Sequence, residues 1–263
     1  MSSSKLSVII ITRNEERNIA DCLQSVIWAD EIVVVDSYST DKTAQIAAEC
    51  GAKVYQEEWR GFSKAKQSAL DHSTSEWTLS LDADERITPE LGAEIKREIA
   101  ANTFQGFEIP RRTWFIRKFI RYSGWYPDYT LRLFKKANAR FSESQIHERV
   151  VVDGAVGRLG GDILHYSYRS IEEYIARMNR YTTLAANELS EKGAHSYWFT
   201  PLVKAPAIFV KRYIMKIGFL DGWSGLELAA LSAMYVFVKY LKLRELNKSS
   251  VENIITTDSA SKS

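Results

Sequence analysis

Along its first hundred residues the chain alternates between two apolar patterns. Residues 7–12 (SVIIIT), 31–36 (EIVVVD), 53–56 (KVYQ) and 77–81 (WTLSL) are short runs rich in β-branched, aromatic and hydroxyl residues, which predict strands. Between them, residues 14–28 place Ile19, Cys22, Leu23, Val26 and Ile27 at helical spacing. Residues 43–50 follow the helix-start residues Ser39, Thr40 and Asp41 and stop at Gly51, and residues 62–70 form a third helical stretch. Thr88-Pro89-Glu90 then opens a further helix with a cap, a proline in the first turn and an early acid. This alternation predicts right-handed crossovers and a parallel sheet covered on both faces. Ligands of such sheets bind beyond the carboxyl ends of the strands. Residues 12–15, 36–39 and 82–84 are therefore expected along one rim.

Past Gly106 the texture changes. Residues 106–136 mix aromatic and basic side chains, and LRLFKK, IHERVVV and DILHYSY read as strands that make the sheet mixed. Residues 170–192 form a long amphipathic helix, and residues 199–217 and 226–246 are two more helical stretches. The end, TTDSASKS, has little bulk to bury and is expected to be disordered.

Composition narrows the picture only in places. With 263 residues the chain can bury a full core, and a formal net charge of +2 gives no global pointer to nucleic acid. Cys22 and Cys50 lie in apolar helical patterns without C-x-x-C spacing, so both are expected in the core of a protein from a reducing compartment. The start, MSSSKLSVIIITRNEE, lacks a signal-peptide core, and residues 216–239 are interrupted by Asp221 and Glu227. The expected location is cytoplasmic.

The chemistry concentrates in WTLSLDADER, residues 77–86, where an apolar strand runs into three carboxylates within four positions. In an extended chain Asp82 and Asp84 share a face. A bare D-x-D also serves as a solvated turn whose Asp84 or Glu85 caps the next helix. At a strand end of this sheet, the pair suits a divalent ion. Magnesium or manganese binds through one or two carboxylates plus phosphate oxygens, so a nucleoside diphosphate would complete the site. The first strand opens into Thr12-Arg13-Asn14-Glu15 rather than G-x-G-x-x-G, and no Walker loop is present, which argues against a dehydrogenase or P-loop enzyme.

The blocks SVIIITRNEERNIADCLQSV, EIVVVDSYSTDKT and LSLDADE, in that order and spacing, resemble the amino-terminal half of glycosyltransferase family 2. YPDYTLRLFKK, IHERV, LHYSY and FLDGWSGLELA resemble its lipopolysaccharide core glucosyltransferase branch. The resemblance implies an α/β GT-A fold: a mixed, mostly parallel central sheet flanked by helices. Residues 1–168 would be catalytic, with 1–105 binding the nucleotide sugar and 106–168 on the acceptor side. Residues 169–248 would be a helical appendage, and 249–263 a disordered tail.

The activity implied is inverting transfer of a hexose, glucose by this branch, from a nucleotide diphosphate sugar to a lipid-linked saccharide, with a divalent metal, Mg2+ or Mn2+. Thr12, Arg13 and Glu15 would line the nucleoside pocket, Asp36 would meet the base or ribose, and Lys66 would reach the nucleotide. Asp82 would face the ribose or metal, with Asp84 the main metal ligand and His147 at the metal or diphosphate. Arg132 would offset diphosphate charge. Asp128, behind Pro127, is the first choice for general base and Glu148 the second. A nucleotidyltransferase, a glycoside hydrolase and an RNA-binding or membrane-surface adapter remain as alternatives. The basic-aromatic run 111–121, with Lys211, Arg212, Lys216, Lys239, Lys242 and Arg244, suggests attachment to the inner leaflet of the cytoplasmic membrane. A solvated helical appendage or a dimer surface would use the same residues.

Overall fold

The computed structural model describes residues 4–142 and 149–260, with side chains as far as Lys248. His147 and Glu148 lie outside the described residues. The chain divides into two compact units, one of residues 1–113 and 127–167 and one of residues 114–126 and 168–263.

The first unit is built on a mixed sheet. Strands β1 (Leu6–Thr12), β2 (Glu31–Asp36), β3 (Lys53–Gln56) and β4 (Trp77–Asp82) are parallel, in the order β3-β2-β1-β4. Their period of two divides the core. Val8, Ile10, Val34, Leu79 and Leu81 join the cluster containing α1 (Ile19–Ser25), α2 (Thr43–Glu49) and α4 (Pro89–Ala101). Ile9, Ile11, Val33 and Val35 turn the other way, onto Ala65, Ala69 and Leu70 of α3 (Phe62–His72). Both faces are buried, which explains why these strands read as unbroken apolar runs.

Beyond β4 the sheet continues through β8 (Asp128–Lys135), β6 (Gly106–Phe115), β12 (Ile163–Tyr168) and β5 (Glu85–Ile87). The pairs β4 with β8, β6 with β8, and β12 with β5 are antiparallel. β11 (Val156–Arg158) lies parallel to the start of β6, and β9 (Ala139–Phe141) pairs with β10 (Val150–Val152) in a small second sheet.

Four differences from the sequence expectations have local causes. Helix α1 begins at Ile19, not near residue 14, because Asn14 is left-handed (φ 57°) and the N–H groups of Asn14 and Glu15 donate to Ser39 Oγ and Thr43 Oγ1, each at 2.8 Å. Those bonds hold residues 13–16 as a loop against the β2–α2 connection. Cys22 is buried as expected, but Cys50, at the end of α2, is exposed. The three-residue strand β5 was not legible, being shorter than any periodicity can mark. Residues 114–126 fall in the second unit, apart from the rest of residues 106–167, which belong to the first.

In that second unit, Phe115, Ile120, Tyr174, Met178 and Leu228 form the core. Tyr174 and Met178 come from α5 (Ile171–Glu191), capped by Ser170 Oγ accepting from Glu173 N–H at 3.1 Å, and Leu228 comes from α7 (Trp223–Ala260). Between them lies α6 (Thr200–Val210), and β7 (Lys118–Phe119) folds back on Trp114 and Phe115. Helix α7 continues past residue 248, so the backbone is helical across most of the segment expected to be a disordered tail.

At the amino ends of the parallel strands, Glu31 ties three strands together. Its carboxylate accepts from Lys53 Nζ (2.7 Å), Thr74 N–H (2.7 Å), Thr74 Oγ1 (3.1 Å) and Ser7 Oγ. Burial alone would raise its pKa, but the Lys53 ammonium and the hydroxyl and amide donors outweigh it and hold it down at about 2, from an ordinary value of 4.5. The folded-state value is depressed, so the stabilisation is present above the unfolded value and lost as pH falls towards 2. Replacing Glu31 by Gln should cost on the order of 3 kcal/mol at neutral pH and flatten the fall in urea stability between about pH 5 and 2. An unchanged acid limb in the variant would refute the assignment.

Candidate active site

The strand register builds the expected rim. Thr12 lies opposite Asp36 on β2, and Ile11 opposite Asp82 on β4. Thr12 is buried, and its Oγ1 has no hydrogen-bond partner among the described residues, which leaves a donor and acceptor for a ligand hydroxyl. Arg13 is exposed and Glu15 half-buried on the same loop, where Glu15 accepts from Asn18 Nδ2 at 2.6 Å. Asp36 is fully buried and engaged locally: its carboxylate accepts from Ser39 N–H (2.9 Å) and Ser39 Oγ. It thereby shapes the β2–α2 loop that faces Thr12.

Asp82 lies between two cations. Its Oδ1 is 2.9 Å from Lys66 Nζ and its Oδ2 accepts from Arg132 Nη2 at 2.7 Å. Lys66 is buried rather than a solvated helix lysine, and Arg132 is 7% exposed. Burial would push the Asp82 pKa up, but the Arg132 and Lys66 charges overcome it and hold the carboxyl well below the usual range. The same Arg132 Nη2 donates to Glu85 Oε1 at 2.8 Å, and Glu85 Oε2 accepts from Asp82 N–H at 2.9 Å. Glu85 is completely buried. A third cation, Arg111, reaches Glu85 Oε1 at 3.5 Å and grips Asp128 Oδ2 through Nε (3.1 Å) and Nη2 (2.7 Å). Burial would lower the Arg111 pKa, but Glu85 and Asp128 raise it. Cationic and acidic groups thus alternate from Lys66 through Asp82, Arg132, Glu85 and Arg111 to Asp128.

The register explains this chain of contacts. Arg111 is the cross-strand partner of Asp128 on β6 and β8, while Arg132 sits further along β8 at the register shift, where Leu131 and Leu133 pair with the consecutive residues Glu108 and Phe107. The turn before β5 is closed from its other side by Arg86, whose Nη1 donates to the carbonyls of Ala83 (3.0 Å) and Glu85 (2.9 Å). Cys22 packs under this turn, its Sγ 3.6 Å from the Asp82 carbonyl. Burial pushes its thiol far up the pH scale, against the nearby Arg86 charge, and makes it inert as a nucleophile.

Asp84 has a different neighbour. Its Oδ2 lies 3.3 Å from His165 Nε2, and its carbonyl accepts from Tyr166 N–H at 2.9 Å. β12 delivers the histidine, because His165 pairs with Glu85 across β12 and β5. His165 Nδ1 is buried with no hydrogen-bond partner among the described residues. Of the proposed site residues, Thr12, Asp36, Lys66, Asp82 and Arg132 are therefore brought together at or just below the rim, with Asp84 beside them. Asp128 joins through Arg111. Three groups were given no part in the site by the sequence: His165, Arg111, read only within the basic-aromatic run, and Glu85, read only as a possible helix cap. LHYSY marked a strand, but nothing linked it to Asp84 without knowledge of β5. No cluster of three or more metal-ligating side chains occurs among the described residues. Asp84 with His165 offers two donors, enough only where a ligand supplies oxygens.

The buried network has a measurable consequence. Arg132→Leu strands Glu85 without its closest cation and should cost about 3–5 kcal/mol in urea unfolding, whereas adding Glu85→Gln to it should recover part of that loss. A cost near zero for the single substitution would show that the network carries no stability.

The comparisons with known proteins bear on the family and the fold. The family model described as glycosyl transferase family 2 matches residues 7–158. A lipopolysaccharide core biosynthesis glycosyltransferase, LpsC, of Rhizobium meliloti is 32% identical over 251 residues, covering 90% of this chain and 91% of that protein. An uncharacterized glycosyltransferase of Rickettsia typhi is 32% identical over 271 residues, covering 97% and 91%. Among solved structures, Staphylococcus aureus TarS 1-349 in complex with UDP superposes with a TM-score of 0.51 at 18% identity, covering 94% of this chain and 92% of that one, a likeness of fold. The GT-A fold and the transferase class are thereby shown over the nucleotidyltransferase, hydrolase and adapter alternatives. The chain belongs to glycosyl transferase family 2.

Proposed function

We propose that this glycosyltransferase moves a hexose, glucose, with inversion from a uridine diphosphate sugar to a lipid-linked saccharide of the lipopolysaccharide core type, at the inner face of the cytoplasmic membrane. The observation that carries the reading is the division of labour between Asp82 and Asp84. Lys66 and Arg132 engage both oxygens of Asp82, while Asp84 faces an imidazole nitrogen. A carboxylate oxygen and a histidine nitrogen 3.3 Å apart would suit magnesium or manganese when diphosphate oxygens fill the remaining positions. Asp84 and His165 would hold the ion, and bound there it would offset the charge that develops on the departing diphosphate. Asp82 is better suited to accept from a ribose hydroxyl with the oxygen edges its cations leave open. The lipopolysaccharide core assignment of the Rhizobium relative supports the acceptor class.

The chain's own residues would act as follows. Thr12, Arg13, Glu15 and the Asp36 loop would seat the nucleoside at the rim. Lys66 and Arg132 would add positive potential beside the diphosphate. Asp128 would be the general base, because both of its bonds to Arg111 fall on Oδ2 and Oδ1 accepts no bond from the described residues. As the acceptor oxygen attacks the anomeric carbon, its proton would pass to Asp128 Oδ1 while the bond to the diphosphate oxygen breaks on the opposite face. Arg111 would fix the direction of that oxygen.

Asp84→Asn and His165→Ala should each weaken manganese binding in calorimetric titrations with uridine diphosphate present, and lower donor turnover at least ~100-fold, with circular dichroism unchanged. Undiminished manganese affinity in either variant would remove that residue from the site. Asp128→Asn should lower kcat by about 10²–10⁴ with little change in donor KM. A loss confined to KM would make Asp128 a binding residue and transfer the base role elsewhere.

A further inference from the structure

The second unit presents an apolar surface that no described part of the chain covers. On α6 the helical series Leu202, Pro206 and Val210 is exposed and apolar, continued by Ile214 just beyond it, the inverse of a soluble helix, while Pro201 and Ala205 of α6 are buried. The chain then turns through a single π-helical segment, Lys211–Met215, and a short 3-10 helix, Gly218–Asp221, before α7. This turn keeps large apolar side chains in solvent: Met215 is 72% exposed and Leu220 53%, with Trp198 at 67% before α6 and Trp223 at 64% after the turn.

The exposure is built in rather than left over from loose packing. Ile217, a β-branched residue, takes a left-handed conformation (φ 44°) that such residues avoid. The turn is clamped by residues 121–123: Ser123 N–H donates to the Lys216 carbonyl (3.0 Å), Arg212 Nη1 donates to the Ser123 carbonyl (2.8 Å), and the buried Asp221 carboxylate accepts from Tyr122 N–H (2.8 Å) and Arg121 N–H (3.2 Å). Gly218 admits no side chain, because a Cβ there would overlap Ser123 Oγ and the Arg212 carbonyl.

Charge identifies the occupant. From Tyr197 to Trp223 the sequence holds Lys204, Lys211, Arg212 and Lys216 and a single acid, Asp221, which is buried and bonded to the backbone of residues 121 and 122. A second copy docking through the same patch by a two-fold axis would bring these like charges together, whereas an anionic lipid surface complements both the apolar stripe and its basic flank. No helix among the described residues is long and apolar enough to cross a membrane, and the 11 residues of α6 span only about 16 Å. We infer that residues 197–223 form an interfacial wedge, with α6 lying along the headgroup plane of an anionic bilayer and the turn around Met215 to Leu220 entering the acyl boundary. The wedge gives the lipid-linked acceptor reading a specific membrane contact and rests on that reading only for its purpose. It also moves the contact away from Lys242, whose Nζ is bound to Asn179, Thr182 and Thr183 of α5.

The test is co-sedimentation of the full chain with phosphatidylcholine vesicles containing phosphatidylglycerol, against pure phosphatidylcholine, with hydrolysis of a soluble uridine diphosphate sugar measured on the same samples. Wild type should pellet with the anionic vesicles and shift its tryptophan emission to the blue. Met215→Glu with Leu220→Glu, and separately Lys211→Glu with Lys216→Glu, should lower partitioning by about 20-fold or more while hydrolysis is unchanged. Failure of wild type to bind anionic vesicles, or equal binding by both variants, overturns the wedge whether or not the donor is hydrolysed. A concentration-dependent dimer abolished by Met215→Glu with Leu220→Glu, without vesicle binding, assigns the surface to a second copy and also overturns it. Vesicle binding by a protein that neither hydrolyses a uridine diphosphate sugar nor is stabilised by uridine diphosphate with manganese leaves the wedge standing and counts against the proposed donor instead.

Discussion

Three carboxylates within four residues at the end of a buried strand can coexist only if positive charge is interleaved with them, and this chain supplies that charge from distant elements. Lys66 arrives on α3 and Arg132 on β8, and the two bracket Asp82. Arg132 also neutralises Glu85, a side chain with no solvent exposure. An uncompensated ion at that depth would cost several kcal/mol, more than any single side chain packed against it returns. The position of β8 in the sheet and the seating of α3 on the opposite face are therefore electrostatic requirements of the LDADER segment as well as packing solutions.

The same arrangement separates the two aspartates of the D-x-D pair. Alternation along an extended chain would set them side by side as equal ligands. Instead the backbone turns at Ala83, the Asp82 amide is held by Glu85, and the antiparallel pairing of β5 with β12 carries His165 to Asp84. One aspartate is held by protein cations and the other faces an imidazole nitrogen. Arg111 extends the alternation of charges to Asp128, so groups assigned to the donor and the acceptor share one rigid scaffold.

Much of this was legible in the sequence where it depended on local pattern. The four parallel strands, the capped start of α4 and the rim of Thr12, Asp36 and Asp82 follow from apolar runs, turn residues and the rule that places ligands at strand ends. Contacts fixed by register between remote segments were not legible. Arg111 faces Asp128 because of a pairing that shifts register between Phe107 and Glu108, and no spacing in the sequence encodes such a shift. The buried state of Lys66 was hidden for the same reason, since its partner lies on another element. In the helical unit, composition flagged basic and aromatic residues together but could not sort them: Lys242 fastens α7 to α5, whereas Met215, Leu220 and Trp223 face solvent.

The central claim is that protein cations hold Asp82 and that Asp84, together with His165, would hold the metal. Anomalous diffraction from crystals grown with manganese and uridine diphosphate tests it most directly. A manganese peak bonded to Asp84 and His165, with Asp82 still on Lys66 and Arg132, is the predicted result. A peak bridging Asp82 and Asp84, with Lys66 displaced and His165 remote from the ion, would contradict it.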